Sequence, residues 1–165
     1  MTDGPGPAAP ARSPRQSATE MTEIVLPQHT NAMGTVFGGT VMAWIDVCAA
    51  IVAQRHCGRI AVTAAVDELV FVAPLRVGDV VRLEGRVNAT FRSSLEVEVR
   101  VEREEARTMA RSLCVTALLT FVSIGDDGKP CSVPPLDAET HEDRRRAQQA
   151  AERRATRLSR KRSGA

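Results

Sequence analysis

The hydrophobic pattern divides the chain into one long apolar block and a set of alternating ones. From Val41 to Ala53 the sequence is almost continuously apolar, and apolar residues fall on every side of a helical projection. A helix that is hydrophobic all round is a buried one, and the pattern predicts such a helix from the Gly38-Gly39 pair to about Cys57-Gly58. At about 17 residues and about 1.5 Å each it would be about 25 Å long, short of a bilayer span. Elsewhere the period is two. A short strand is predicted over Met21 to Leu26, stopping at Pro27. Ile60 to Val72 is rich in Val and Ala, and its alternation shifts near Asp67-Glu68, which predicts a bulge or bend. Val81, Leu83 and Val87 alternate with Arg82, Glu84, Arg86 and Asn88. Leu95, Val97, Val99 and Val101 alternate with Glu96, Glu98, Arg100 and Glu102, and Leu113, Val115, Ala117, Leu119 and Phe121 form a last set. Ala73-Pro74, Gly78-Asp79 and Gly125 to Lys129 read as turns, and Pro134-Pro135 closes the sheet region.

Short links between strands favour antiparallel pairing. One sheet face is charged and the other apolar, and the single apolar helix needs that second face as cover. The expected fold is α+β: a curved antiparallel sheet of about five to six strands wrapped around one long helix, with an edge that a second copy could cover. This domain spans 19–136. Residues 1–18, rich in Pro, Gly and Ala, read as a disordered tail. Residues 137–165 read as a basic helix and tail, carrying Arg144-Arg145-Arg146, Arg153-Arg154, Arg157 and Arg160-Lys161-Arg162. Its apolar stripe of Ala147, Ala151, Ala155 and Leu158 is narrow. The helix reads either as a nucleic-acid arm or as a solvated helix packed lightly on its own domain, where an anionic ligand could lie near it. It has no interleaved aromatics and no nucleic-acid motif, so nucleic acid is not expected.

Composition narrows the function classes. A chain of 165 residues with a formal net charge of +2 fits one domain and names no partner. Cys48, Cys57, Cys114 and Cys131 lack CxxC spacing, and Cys48 and Cys114 read as small buried hydrophobes, which fits the reducing cytoplasm. His29, His56 and His141 are scattered, so no metal site is expected. No transmembrane segment or signal peptide is read.

Asp46 is the exception inside the apolar block. Its neighbours one turn away, Met42, Ala43, Ala49 and Ala50, cannot pair with a carboxylate, and a buried unpaired carboxylate is costly. Two readings are open: an exposed window or a structural arginine from elsewhere, or a general base held in an apolar cleft. Gly38 and Gly39 stand where the helix begins. Their N–H groups and the positive end of the dipole could polarise a carbonyl, or the glycines could serve only a tight turn.

The run TNAMGTVFGGTVMAWID, followed by FVAPLRVGD and then FRSS, resembles the acyl-CoA thioesterase family of the hotdog fold. It is similar in particular to the broad-range acyl-CoA hydrolases of bacteria and the brain-type enzymes of animals, over about Glu20 to Pro135. The resemblance implies hydrolysis of acyl-CoA to a fatty acid and CoA, with no cofactor beyond the CoA of substrate and product. It implies Asp46 and Asn31 as catalytic residues from opposite protomers, Gly39 and Gly38 as carbonyl-polarising groups, and Arg92, Ser93 and Ser94 as the turn at the CoA phosphates. It further implies a homodimer with shared active sites, assembled as a hexameric trimer of dimers. A non-catalytic acyl-CoA-binding module would keep Arg92 and the glycines without needing Asp46 as a carboxylate. A hotdog dehydratase places a histidine on or near the helix, and the helix interior here has none.

Overall fold

The computed structural model describes residues 9–163. The chain runs α1 (Pro14–Ser17), β1 (Thr19–Ile24), a helical turn at Pro27–His29, α2 (Gly38–Cys57), β2 (Ala61–Phe71), β3 (Val80–Thr90), β4 (Ser94–Glu104), β5 (Arg111–Ser123) and α3 (His141–Ser163). The five strands form one sheet in the order β1-β3-β4-β5-β2, with every neighbouring pair antiparallel. The alternation in the sequence decides which side is which. Leu83, Val87, Leu95, Val97, Val99, Ala117 and Phe121 are buried on one side, against Val41, Ile45, Cys48 and Val52 of α2. Each such aliphatic side chain contributes about 1.5–3 kcal/mol on full burial. Where α2 crosses β3 the two backbones are close: a Cβ on Gly85 would lie 2.7 Å from Val52 Cγ2 and 3.1 Å from Cys48 Sγ. Only glycine fits there.

The expectation of a helix buried all round is corrected. Val41, Ile45, Cys48, Ala49, Val52 and Ala53 are covered, but Met42, Ala43, Asp46 and Val47 are exposed in the single chain. One sheet reaches only one side of a helix. The other side lies beside the edge strand β2, whose Val62, Val66, Val70 and Phe71 are also exposed.

The far end of α2 is closed by the N-terminal segment. Residues 1–8 of the tail expected over 1–18 lie outside the described residues, and Arg12 to Ser17 pack on the body. Arg12 Nη1 donates to the carbonyls of Arg55 (2.7 Å) and His56 (2.8 Å), satisfying two of the helix's open acceptors. Gly58 takes the left-handed conformation (φ 69°) and donates to Gln54 O. His56 is fully buried between Ser17 Oγ, 3.3 Å from Nδ1, and Pro134 O, 3.1 Å from Nε2.

The bulge expected near Asp67 is present, together with a second: the β2–β5 register shifts between Thr63 and Ala65 and again between Val66 and Glu68. Plain alternation would put Thr63, Asp67 and Leu69 on one face. The two shifts leave Thr63 and Leu69 on the α2 side and turn Asp67 to the opposite side, where Arg157 of α3 pairs with it.

On that outer face α3 is anchored by charge. Arg86 pairs with Asp143, Arg146 with Glu98, and Arg153 with Glu96. The expected stripe of Ala147, Ala151, Ala155 and Leu158 is corrected accordingly. Ala151, Ala155 and Leu158 are exposed, and the covered side runs through Asp143, Ala147, Ala150, Arg153 and Arg157. The outward face of the sheet is ionic, so the helix turns its arginines toward it.

Candidate active site

The segment ahead of α2 is built around Asn31. Its Oδ1 accepts from the N–H of Met33 (3.0 Å) and Thr35 (3.3 Å), and its Nδ2 donates to Thr35 Oγ1 (3.0 Å). Gly34, at φ 73°, lets the turn close. The chain then enters α2 through Phe37, which offers no side-chain cap. Among the described residues nothing accepts from the N–H of Gly38 or Gly39, and both glycines are exposed. A Cβ on Gly38 would meet the Phe71 ring at 3.5 Å, whereas one on Gly39 would meet nothing within 4 Å. The positive end of α2 therefore presents two bare amides to whatever approaches it.

Asp46 lies further along the exposed side of the same helix. It has a partner that the sequence did not identify: Thr63 Oγ1 donates to Asp46 Oδ1 at 2.6 Å. The irregular alternation of Ile60 to Val72 signalled a bend there, but which side chain it would turn toward the helix depends on two register shifts. Within one chain no hydrogen bond joins Asn31 to Asp46 among the described residues. Asn31 serves its own turn. Cys48, two residues on and turned to the buried side of α2, is no rival nucleophile, since burial pushes its thiol up to about 11.

Beside the bare amides lies a cavity of about 360 Å³ lined by Val36, Gly38, Val41, Phe71, Leu75 and Val115. The third group of candidate residues sits apart, on the β3–β4 turn. Its backbone is held by Phe91 N–H to Ser94 O (2.7 Å), Val133 N–H to Arg92 O (3.0 Å) and Ser123 N–H to Ser93 O (3.0 Å). The Arg92 guanidinium and the hydroxyls of Ser93 and Ser94 have no partner among the described residues. The structure thus joins Asp46 of α2 to Thr63 of β2, leaves Gly38 and Gly39 about two turns away at the start of the same helix with Asn31 on the turn leading into it, and keeps Arg92, Ser93 and Ser94 on a separate turn.

An antiparallel sheet wrapped on one long helix is the hotdog fold, and the solved structures that superpose on it include acyl-CoA thioesterases. The chain belongs to the thioesterase superfamily, whose sequence profile matches residues 33–110, and its relatives place it among the acyl-CoA thioester hydrolases. It is 40% identical over 148 residues to an uncharacterized acyl-CoA thioester hydrolase of Bacillus subtilis, covering 90% of this chain and 86% of that one. It is 38% identical to mouse acyl-coenzyme A thioesterase 11 over 88% of this chain and 25% of that longer protein. Among solved structures, an apo-hexameric acyl-CoA thioesterase superposes with a TM-score of 0.87 at 39% identity, over 92% of this chain and 97% of the other. The acyl-CoA hydrolase of Staphylococcus aureus, solved with butyryl-CoA, CoA and CoA disulfide, gives a TM-score of 0.87 at 34% identity over 94% of each chain. That enzyme has also been solved with an aspartate, an asparagine or a threonine replaced by alanine. The intervals between those positions match the intervals between Asn31, Asp46 and Thr63 here.

Proposed function

We propose that the protein hydrolyses the thioester of acyl-CoA with Asp46 as general base, in a homo-oligomer whose active sites are shared between protomers. The observation that carries this reading is the Asp46 carboxylate, exposed on an otherwise apolar helix, held at 2.6 Å by Thr63 and following an uncapped N-terminus. The thioester carbonyl would lie over the helix start, where the N–H of Gly39, with that of Gly38, stabilises the oxyanion as charge develops. Asp46 takes a proton from water, the water oxygen adds to the carbonyl carbon, and collapse of the tetrahedral intermediate releases the CoA thiolate. Asp46 passes the proton it took to the thiolate, and the carboxylic acid leaves, losing its own proton to bulk water as the carboxylate.

The second protomer supplies what one chain lacks. The edge strand β2 and the bare side of α2 together expose Met42, Val47, Val62, Val66, Val70 and Phe71. Pairing β2 with its copy would cover this patch and bring the Asn31 turn of one protomer toward Asp46 of the other. Assembly as a hexameric trimer of dimers is supported by the hexameric neighbour, and a cytoplasmic location by rat and mouse relatives named cytosolic. Arg92, Ser93 and Ser94 would receive phosphates of CoA. The proposed reaction needs no cofactor, CoA being part of substrate and product.

The test is release of free thiol from acyl-CoAs of short to long chain, with wild type beside Asp46→Asn. Wild type should turn over at least part of the panel, and Asp46→Asn should lose about 10²- to 10⁴-fold in kcat with its melting curve retained. A variant keeping most of its rate removes Asp46 as the base. Wild type inert on every chain length removes the hydrolase reading.

A further inference from the structure

The arginines of α3 from position 144 to 157 have partners, with one exception. Arg144 donates to the carbonyls of Ala138 and Glu139, Arg145 and Arg146 pair with Glu142, and Arg146 also pairs with Glu98. Arg153 pairs with Glu96 and Arg157 with Asp67. Arg154 has no carboxylate or carbonyl partner among the described residues. Its guanidinium carbon instead sits over the Phe91 ring, 4.6 Å from the centroid.

The position of that ring gives the arrangement its meaning. Phe91 immediately precedes Arg92, Ser93 and Ser94, whose side-chain donors are also without partners among the described residues. Arg154 is thus placed over the residue that precedes Arg92, Ser93 and Ser94, and none of these four side chains is paired with an acid among the described residues, whereas Arg145, Arg146, Arg153 and Arg157 all are. A guanidinium held over an aromatic face keeps its N–H edges free to donate. The ion pairs of Arg153 and Arg157 on either side hold this part of α3 against the sheet, so Arg154 is carried on a fixed support.

We infer that Arg154, held over Phe91, is a binding residue for the phosphate groups at the nucleotide end of the substrate, acting with the Arg92 turn that Phe91 leads into. The inference deepens the acyl-CoA reading and rests on it. It assigns α3 a part in substrate recognition: the helix presents a second cation to a ligand bearing several phosphate charges. Arginine suits this task because its planar fork can donate two bonds to one phosphate.

The test is calorimetric titration of CoA, and separately of pantetheine, into the full-length protein as wild type, Arg154→Leu and Arg154→Lys, with thiol release from acyl-CoA measured on the same preparations. Arg154→Leu should bind CoA about tenfold more weakly at low salt. Its affinity for pantetheine, which lacks the nucleotide phosphates, should stay within about twofold, and Arg154→Lys should recover part of the CoA affinity through charge alone. The CoA loss should shrink as salt is raised. Equal weakening of both ligands would show that Arg154 only staples the turn, and unchanged CoA binding would show that it touches no phosphate. Either result overturns the inference. Wild type that releases no thiol but shows this CoA pattern would support the phosphate site and overturn the hydrolase reading instead.

Discussion

The attachment of α3 can be tested at its most buried charge. Glu96 is 2% exposed, and its carboxylate accepts from Arg153 Nε (3.0 Å), Arg153 Nη2 (2.7 Å) and Asn88 Nδ2 (3.1 Å). Arg153→Leu leaves that carboxylate buried with one amide donor. Removing one partner of a buried pair costs about 3–5 kcal/mol. The Arg153 side chain is 28% exposed, so water can reach part of the gap, and the lower end, about 3 kcal/mol, is expected. Adding Glu96→Gln removes the stranded charge while keeping an oxygen for Asn88, and the double variant should recover at least half of the loss. The assay is urea unfolding at one fixed protomer concentration, because assembly feeds into apparent stability. With a slope of about 2 kcal/mol per molar urea, the single variant's midpoint should fall by about 1.5 M. A fall below about 0.5 M, or a double variant no more stable than the single, would refute the reasoning.

Thr63→Val keeps the shape of the side chain and deletes the hydroxyl that holds Asp46, so kcat should fall about tenfold with KM retained, and Thr63→Ser should restore it. A serine variant as slow as the valine one would mean that packing, not the hydrogen bond, matters. Burial lowers the His56 pKa from its usual 6.5, the hydrogen bond to Pro134 opposes this, and Arg12 adds to the lowering. The folded state therefore binds its proton less readily than the unfolded chain. The His56 contribution should be flat above pH about 6.5 and should turn against folding as pH falls below that, with a slope of at most about 1.4 kcal/mol per pH unit. Melting curves from pH 7.5 to 5 should show this slope, and His56→Gln should flatten it; an unchanged slope in the variant would assign the effect elsewhere.

Local pattern decided much of this protein. A period of two placed the strands β3, β4 and β5, and the apolar run from Val41 to Ala53 marked the single helix they cover, because burial on one face or along a helix is written in residue order. The quoted motif led to the superfamily directly. Asp46 stood out because a carboxylate in an apolar run needs an explanation. What sequence could not supply were contacts between distant segments. Thr63 meets Asp46 only because two register shifts in β2 turn it there, and the same shifts send Asp67 to Arg157 on the opposite face. Nor did the spacing of alanines reveal which side of α3 is covered, since ion pairs with Glu96, Glu98 and Asp67 outweigh a thin apolar stripe. The same holds for Arg12, whose place in a Pro-rich tail conceals that it closes the far end of α2. Hydrophobic periodicity is a local property of the chain; the partner of a charge is set by the folded geometry.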